Sequence, residues 1–493
     1  MILTVSQMQQ VEKEALVHGA QVEDLMEEAG SGIARVIEQF FPKAGTCVVY
    51  CGKGHNGGDA LVAARFLALH HWKVLIRLAF PKKEMALLAQ AHLQELIENH
   101  HATSLEGVPG QNDSPLILID GLLGIGACGE PQGSLALLIQ EMNEVRHTHG
   151  AFTVAADLPS GLDATTGELA VSCVQADLTV TIAFAKTGLL ADRATNYVGR
   201  LALVPLSALT AQAGDSASLI TSKIVRALLP PRSFDVHKGI FGHVGIVAGS
   251  RGYLGAARMA STAALHAGAG LVTLYALPDH YELLATSCSP EVMIKPIARW
   301  SDVLSESLDA LAIGPGLGEK HHVDILEIVK EATIPCVVDA DALNALAPKI
   351  ELLLQCQGPR LLTPHPGEME RLFPAEGRDR SVWATAFVEK YPVILLLKGA
   401  RTIIAEKKMP LAYNTTGNPG MASGGMGDVL TGVTAAFLAG GQTPRDAAML
   451  GAWLCGRAAE CAIYEGMASE ESLVASDVIA HLGRAMKYKG SPN

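Results

Sequence analysis

Short apolar runs that each deliver a glycine-rich, acid-bearing loop, followed by a helical pattern, recur along the whole of this 493-residue chain. The clearest starts at the β-branched run 46–51. It passes through Gly52-Lys53-Gly54-His55-Asn56-Gly57-Gly58-Asp59 into Leu61, Val62, Ala64, Arg65, Phe66 and Leu67 at helical spacing. Further runs fall at 74–79, 116–120, 152–157 and 178–183, with helical stretches at 83–99 and 132–147 between them. The second half restarts the alternation at 242–248, 271–276, 310–314, 336–339, 361–363 and 393–397. Strand, loop and helix in repeated order predict an α/β fold of parallel, doubly wound sheets with helices on both faces. The loop at 52–59 is neither a G-x-G-x-x-G fingerprint with a distant acid nor a Walker A loop, so neither of those nucleotide signatures applies.

A chain this long exceeds one ordinary core and predicts two or three domains, with the main boundary in 205–222, where periodicity is lost and small polar residues accumulate. At the N-terminus, 4–41 reads as two helices, with Ser6 and Gln9 as a capping box for the first. A net charge of −12 argues against a broad nucleic-acid surface, although backbone dipoles can still bind a small anion. The nine cysteines show neither C-x-x-C nor alternating Cys/His spacing, so neither a zinc site nor a disulfide framework is indicated, and Cys47, Cys336 and Cys455 read as buried thiols in a reducing cytoplasm. No run is apolar enough to span a bilayer, so no membrane partner is expected. The histidine pairs 70/71, 100/101 and 321/322 read as solvated helix ends.

Function is written at the ends of the runs. Asp120-Gly121-Leu122-Leu123-Gly124-Ile125-Gly126 closes one strand and Asp157-Leu158-Pro159-Ser160-Gly161 another; together with the 52–59 loop they make three acid-bearing loops at one sheet rim, where α/β folds bind ligands. Near the C-terminus Gly424, Gly425 and Gly427 strip side chains from a loop entering the apolar helical pattern Val429, Leu430, Val433, Ala436, Phe437. Free N–H groups at that helix start attract phosphate, and Asp428 beside them is suited to take a proton from an attacking hydroxyl.

Taken together, these loops resemble the bifunctional NAD(P)H-hydrate repair enzyme family. Residues 52–59, 120–126 and 157–161 look like the NAD(P)HX epimerase domain, departing from its usual pattern at His55 and Ala60. His237-Lys238-Gly239, Gly314-Pro315-Gly316-Leu317-Gly318, Thr363-Pro364-His365-Pro366-Gly367-Glu368 and Gly424 to Asp428 look like the ADP-dependent dehydratase. The resemblance implies an N-terminal Rossmann-like three-layer sandwich at 1–212 and a C-terminal ribokinase-like domain at 219–493. It further implies that Asn56, Asp120 and Ser160 hold a potassium ion, and that His55, Asn56, Gly57, Gly58, Asp59, Gly124, Ile125, Gly126, Ala127, Cys128, Gly129, Glu130 and Asp157 hold the epimerase substrate, Asp157 handling a proton. In the dehydratase, Lys398, Gly399, Ala400, Arg401, Thr402 and Gly427 would hold ADP, with Mg2+ carried by its phosphates. Ala256, Gly316 or Gly318, His365 and Asp428 would line the substrate. The implied partners are NADHX, NADPHX and ADP, and a homo-oligomer is expected. A kinase of a small alcohol fused to a nucleotide-binding module is the competing reading.

Overall fold

The computed structural model describes residues 1–493 except 101, 105–114, 128, 212–215, 230, 376, 378 and 488–493. The described residues form two compact units, the first ending at Ser216 and the second beginning at Ala217.

The first unit is built on a seven-stranded, wholly parallel sheet. In spatial order the strands are Thr103–Ser104, Lys73–Leu78, Thr46–Cys51, Leu116–Gly121, Phe152–Ala156, Leu178–Ile182 and Arg200–Val204. All six residues of Thr46–Cys51 and of Leu116–Gly121 are buried, because both faces of the sheet are covered. Val48, Tyr50 and Leu118 pack with Ile139, Met142 and Val145 of helix Ser134–His149. Helices Val22–Phe40 and His55–Leu69 pack on one another and reach the sheet. The chain winds outward from Thr46–Cys51, then returns to lay Leu116–Gly121 on its other side. Strand order therefore reverses between these two, which is where such folds open a crevice. A separate parallel pair joins Ile2–Leu3 to Ala185–Lys186.

Two local expectations need correcting. The first helix, Val5–Val17, is capped by Thr4 and not by Ser6: Gln7 Oε1 accepts the Thr4 N–H at 2.8 Å, and Thr4 Oγ1 accepts the Gln7 N–H at 3.3 Å. Thr4 has the extended backbone a cap requires, whereas Ser6 already lies in the helix. The 52–59 segment is only half a loop, since helix His55–Leu69 begins at His55 and makes His55 to Asp59 its opening turn. Strand Arg200–Val204, followed by no glycine-rich loop, went unpredicted.

The second unit carries a ten-stranded sheet in the order Ser218–Leu219, Ala412–Tyr413, Ile403–Ala405, Ile394–Leu397, Arg360–Leu362, Cys336–Val338, Ala310–Ile313, His243–Val247, Leu271–Ala276, Met293–Pro296. Only Ile403–Ala405 runs antiparallel to its neighbours. The order reverses between His243–Val247 and Ala310–Ile313. Helix Met426–Ala439 is buried at every position from Val429 to Ala439, as a helix apolar all round must be. It lies so close to helix Leu254–His266 that a Cβ on Gly432 would sit 2.0 Å from the Ala260 carbonyl oxygen. A backbone oxygen cannot move aside. Gly432→Ala is therefore expected to destabilise the second unit by about 3 kcal/mol or more, read from its denaturant midpoint. Among the described residues no helix is long and apolar enough to cross a membrane.

Candidate functional site

The crevice of the first unit gathers Asn56, Asp120 and Ser160 around the backbone of Leu122 and Leu123. Asp120, fully buried, accepts hydrogen bonds on Oδ1 from the Ser160 hydroxyl at 2.7 Å and the Leu122 N–H at 3.1 Å, and on Oδ2 from the Ser160 N–H at 2.7 Å. Ser160 Oγ in turn accepts the Leu123 N–H at 2.9 Å, and the Asn56 amide donates to the Leu123 carbonyl at 2.8 Å. Burial pushes the Asp120 carboxyl up to about 6, with the Ser160 and Leu122 hydrogen bonds opposing it. No cationic side chain bonds to it among the described residues. A buried carboxylate without a cation, a serine hydroxyl and an amide oxygen left over from the Asn56 bond are hard donors, so the set fits an alkali cation.

A second cluster lies on the same crevice, because helix His55–Leu69 supplies Asn56 to one and Asp59 to the other, and the 157–160 loop supplies Ser160 and Asp157. Asp157 sits beyond strand Phe152–Ala156 with φ 68, a left-handed conformation uncommon outside glycine. It is ion-paired with the buried Lys186. Asp59 meets solvent in part, yet burial of its carboxyl, with the charges of Asp157 and Glu12 adding, raises it well above the usual carboxylate range. Glu12 is likewise raised, first by burial. Lys186 and Glu12 were missed in sequence. The signal for Lys186 existed: it ends the apolar run after 178, as Lys398 ends the run 393–397.

The remaining positions of the first unit separate. Gly57 and Gly58 are buried in the helix start, and Gly124 lies against the Asn56 side chain. Ile125 is half-buried, while His55, Gly126, Ala127 and Gly129 are exposed, the last with φ 81. Cys128 lies outside the described residues. Glu130 accepts the N–H groups of Val171 and Ser172 at 2.9 and 2.8 Å, so its carboxylate clamps one loop to another. Those bonds hold it below the usual carboxylate range.

In the second unit the helix start behaves as its glycines predict. Gly425 is the N-cap at φ 90, and Asp428 falls in the first turn of Met426–Ala439. Facing it is a polar group drawn from three strand ends. Lys398 donates to Asp339 Oδ1 at 2.9 Å and lies 3.6 Å from Glu368 Oε2. Thr431, one turn beyond Asp428, donates to Asp339 Oδ2 at 2.7 Å. Burial works against the Lys398 ammonium, but Asp339 and Glu368 outweigh it and hold it above its ordinary value. Burial, and then the neighbouring Asp339 carboxylate, push Asp428 up to about 6, with Lys398 pulling the other way. A Cβ on Gly427 would stand 3.5 Å from Lys398 Nζ, which puts Gly427 at the same spot.

His365 turns out to have a structural duty. Its Nδ1 accepts the N–H groups of Gly367 and Glu368 at 3.0 and 3.3 Å, while Glu368 Oε2 accepts the His365 N–H at 2.8 Å, a reciprocal cap for helix Pro366–Leu372. With Nδ1 accepting, the neutral ring carries its proton on Nε2, which lies 3.5 Å from Glu368 Oε1 on a half-exposed side chain. The 398–402 loop is held by Arg380, whose Nη2 donates to the carbonyls of Leu397, Lys398 and Arg401 at 3.3, 3.1 and 3.2 Å. Gly399 and Ala400 stay exposed, Thr402 is half-buried with its hydroxyl donating to the Gly399 carbonyl at 3.0 Å, and Arg401 is buried. Gly316 lies against Tyr253 and Ala256, whereas the Gly318 N–H is spent on Asp341 at 2.7 Å. Asp339, Thr431 and Glu368 escaped assignment in sequence because each acts on Lys398 or Asp428 across the fold. Among the described residues no group of three or more His, Cys, Asp or Glu is placed to hold a metal.

Two doubly wound sheets, each with a carboxyl of raised pKa at its rim, Asp120 in the first and Asp428 in the second, define a two-site α/β enzyme. Residues 22–188 match the family described as YjeF-related protein N-terminus, and residues 244–480 match the family NAD(P)H-hydrate dehydratase. The bifunctional NAD(P)H-hydrate repair enzyme Nnr of Moorella thermoacetica is 37% identical over 93% of this chain and 91% of its own. That of Coxiella burnetii is 36% identical over 97% of both. The solved ADP/ATP-dependent NAD(P)H-hydrate dehydratase from Bacillus subtilis, co-crystallised with ATP/Mg2+, is 29% identical, with a TM-score of 0.49, over 55% of this chain and 98% of its own. The chain belongs to the bifunctional NAD(P)H-hydrate repair enzyme family.

Proposed function

We propose that residues 1–212 interconvert the R and S forms of hydrated NADH and NADPH, and that residues 219–493 use ADP to return the S form to the reduced cofactor, leaving AMP and phosphate. The observation that carries this is Asp428: a carboxyl raised to about 6 at a glycine-lined helix mouth, next to a lysine held by two carboxylates. A hydroxyl is a poor leaving group. Asp428 takes its proton as the oxygen attacks the terminal phosphorus of ADP, and the N–H groups of 425–427 face the charge on the transferring group. AMP departs, and the ring nitrogen's electron pair then expels phosphate. Loss of a proton from the adjoining carbon restores the double bond. Lys398 to Thr402 and Gly427 hold ADP, whose phosphates carry Mg2+, and Ala256, Gly316 and the Nε2 edge of His365 line the hydrated ring.

In the first unit, Asn56, Asp120 and Ser160 hold potassium, whose charge offsets the buried carboxylate and fixes the crevice wall. The free thiols of the described cysteines suit a cytoplasmic enzyme. The test supplies mixed epimers with ADP and follows products. Reduced nicotinamide cofactor and inorganic phosphate in equal amounts support the reading, whereas a stable phosphorylated acceptor would make the second unit a small-alcohol kinase. Replacing potassium by choline is expected to slow epimer exchange at least tenfold in the parent, and Asp120→Asn to abolish that dependence.

A further inference from the structure

Lys186 has no part in the reading above, yet its placement is costly. Its side chain is 1% exposed, and burying an ammonium costs several kcal/mol unless it is paired. Its backbone already serves the pairing of Leu3 with Lys186, which any residue could satisfy. What its side chain adds is an ion pair with Asp157 Oδ1, tied down by the Ile182 carbonyl at 3.0 Å. The same Oδ1 also accepts the Ile182 N–H at 2.9 Å and the Thr181 hydroxyl at 3.3 Å. Three donors converge on one oxygen, and Oδ2 has no hydrogen-bond partner among the described residues. Asp59 of helix His55–Leu69 and Glu12 of helix Val5–Val17 lie near enough to feel the charges of Asp157 and Lys186, and His55 near enough to act on Glu12.

Resting on the epimerase reading, we propose that Lys186 is a positioning residue that holds Asp157 as the proton acceptor through Oδ2 and leaves Asp59 as the proton donor of the same step. Two neighbouring carboxyls in unlike surroundings divide into a base and an acid. Asp157 is ion-paired directly with Lys186, whereas burial, with the charges of Asp157 and Glu12 adding and Lys186 opposing, raises the Asp59 carboxyl well above the usual carboxylate range. The chemistry needs both. Water adds to an enamine double bond with its hydroxyl on the carbon bonded to nitrogen, so the stereocentre is a hemiaminal. Asp157 Oδ2 takes the hydroxyl proton, the carbon–oxygen bond becomes a carbonyl, and the carbon–nitrogen bond breaks with its electron pair going to nitrogen, which takes the Asp59 proton. The freed aldehyde presents its other face, and the steps reverse. Asp59 recovers its proton from nitrogen and Asp157 returns one to oxygen, so atoms and electrons balance.

The test measures exchange between purified R- and S-NADHX in the full chain, with dehydration of the S form as a control for the intact protein. Lys186→Met is expected to lower kcat at least 100-fold with KM within threefold, because the acceptor loses the ammonium that holds its Oδ1 in place. Lys186→Arg should recover part of the rate. Asp59→Asn, which keeps shape and the buried lysine pair, should also cost at least 100-fold and decides the matter if Lys186→Met fails to fold. Lys186→Met or Asp59→Asn exchanging within threefold of the parent overturns the proposal. If the parent itself exchanges no epimers, the epimerase reading falls; if it does and Asp157→Asn exchanges at the parent rate, the proton acceptor lies elsewhere and only the proposal falls.

Discussion

Asp428→Asn stops ADP-dependent dehydration, lowering its rate at least about 1000-fold, while exchange between the epimers continues. General-base catalysis contributes roughly 100- to 10,000-fold, and here the base also sits where the phosphoryl group is received. Asn keeps the size and polarity of the residue, so helix Met426–Ala439 still starts at its Gly425 cap and loss of rate cannot be assigned to loss of the mouth. The pH dependence gives a second check with a definite sign. The base acts when deprotonated, and burial beside Asp339 raises Asp428 to about 6, so the parent's dehydration rate falls as pH drops through about 6 and not through the ordinary carboxylate range near 4. Initial rates on purified S form between pH 5 and 8 read that limb. A variant that dehydrates at the parent rate would remove Asp428 as the base.

Asp157→Ala leaves dehydration of the S form running but strands the R form, so that turnover of mixed epimers halts when the S fraction is consumed. Removing the carboxylate takes away the group placed at the strand end to accept a proton, and the rate of exchange is expected to drop at least about 100-fold. It also leaves Lys186 buried without its partner, a change that costs on the order of 3–5 kcal/mol, so unfolding of the first unit is followed alongside activity. Asp157→Asn, which keeps an acceptor oxygen for Lys186 and for the Ile182 N–H, separates the two effects. Full consumption of both epimers by a folded Asp157→Asn protein would place the proton transfer elsewhere.

Much of this molecule could be read without coordinates. Alternation of apolar runs with glycine loops is a local pattern imposed by two-sided burial of parallel strands, and it located the main strands to within a residue or two. The short partners Ile403–Ala405, Ala412–Tyr413 and Met293–Pro296 carry no such loop and were invisible. Asp120, Asp157 and Asp428 stood out because each sits in a glycine-rich loop at a strand end or helix start, where α/β folds bind ligands. The Thr4 cap was misplaced because a capping residue is defined by an extended backbone, which Thr and Ser two residues apart signal equally well.

The residues by themselves determined that the chain makes two wound sheets with glycine-lined rims and that an acid stands at each. Only the tertiary structure decided the company those acids keep. Lys186 against Asp157, Thr431 and Lys398 on Asp339, and Glu130 turned away to hold Val171 and Ser172 join positions up to 92 residues apart. The physical reason is range. Periodicity and turn chemistry act over a few residues, whereas a carboxyl's protonation depends on whatever charge and apolar surface folding brings within a few ångströms, from any part of the chain.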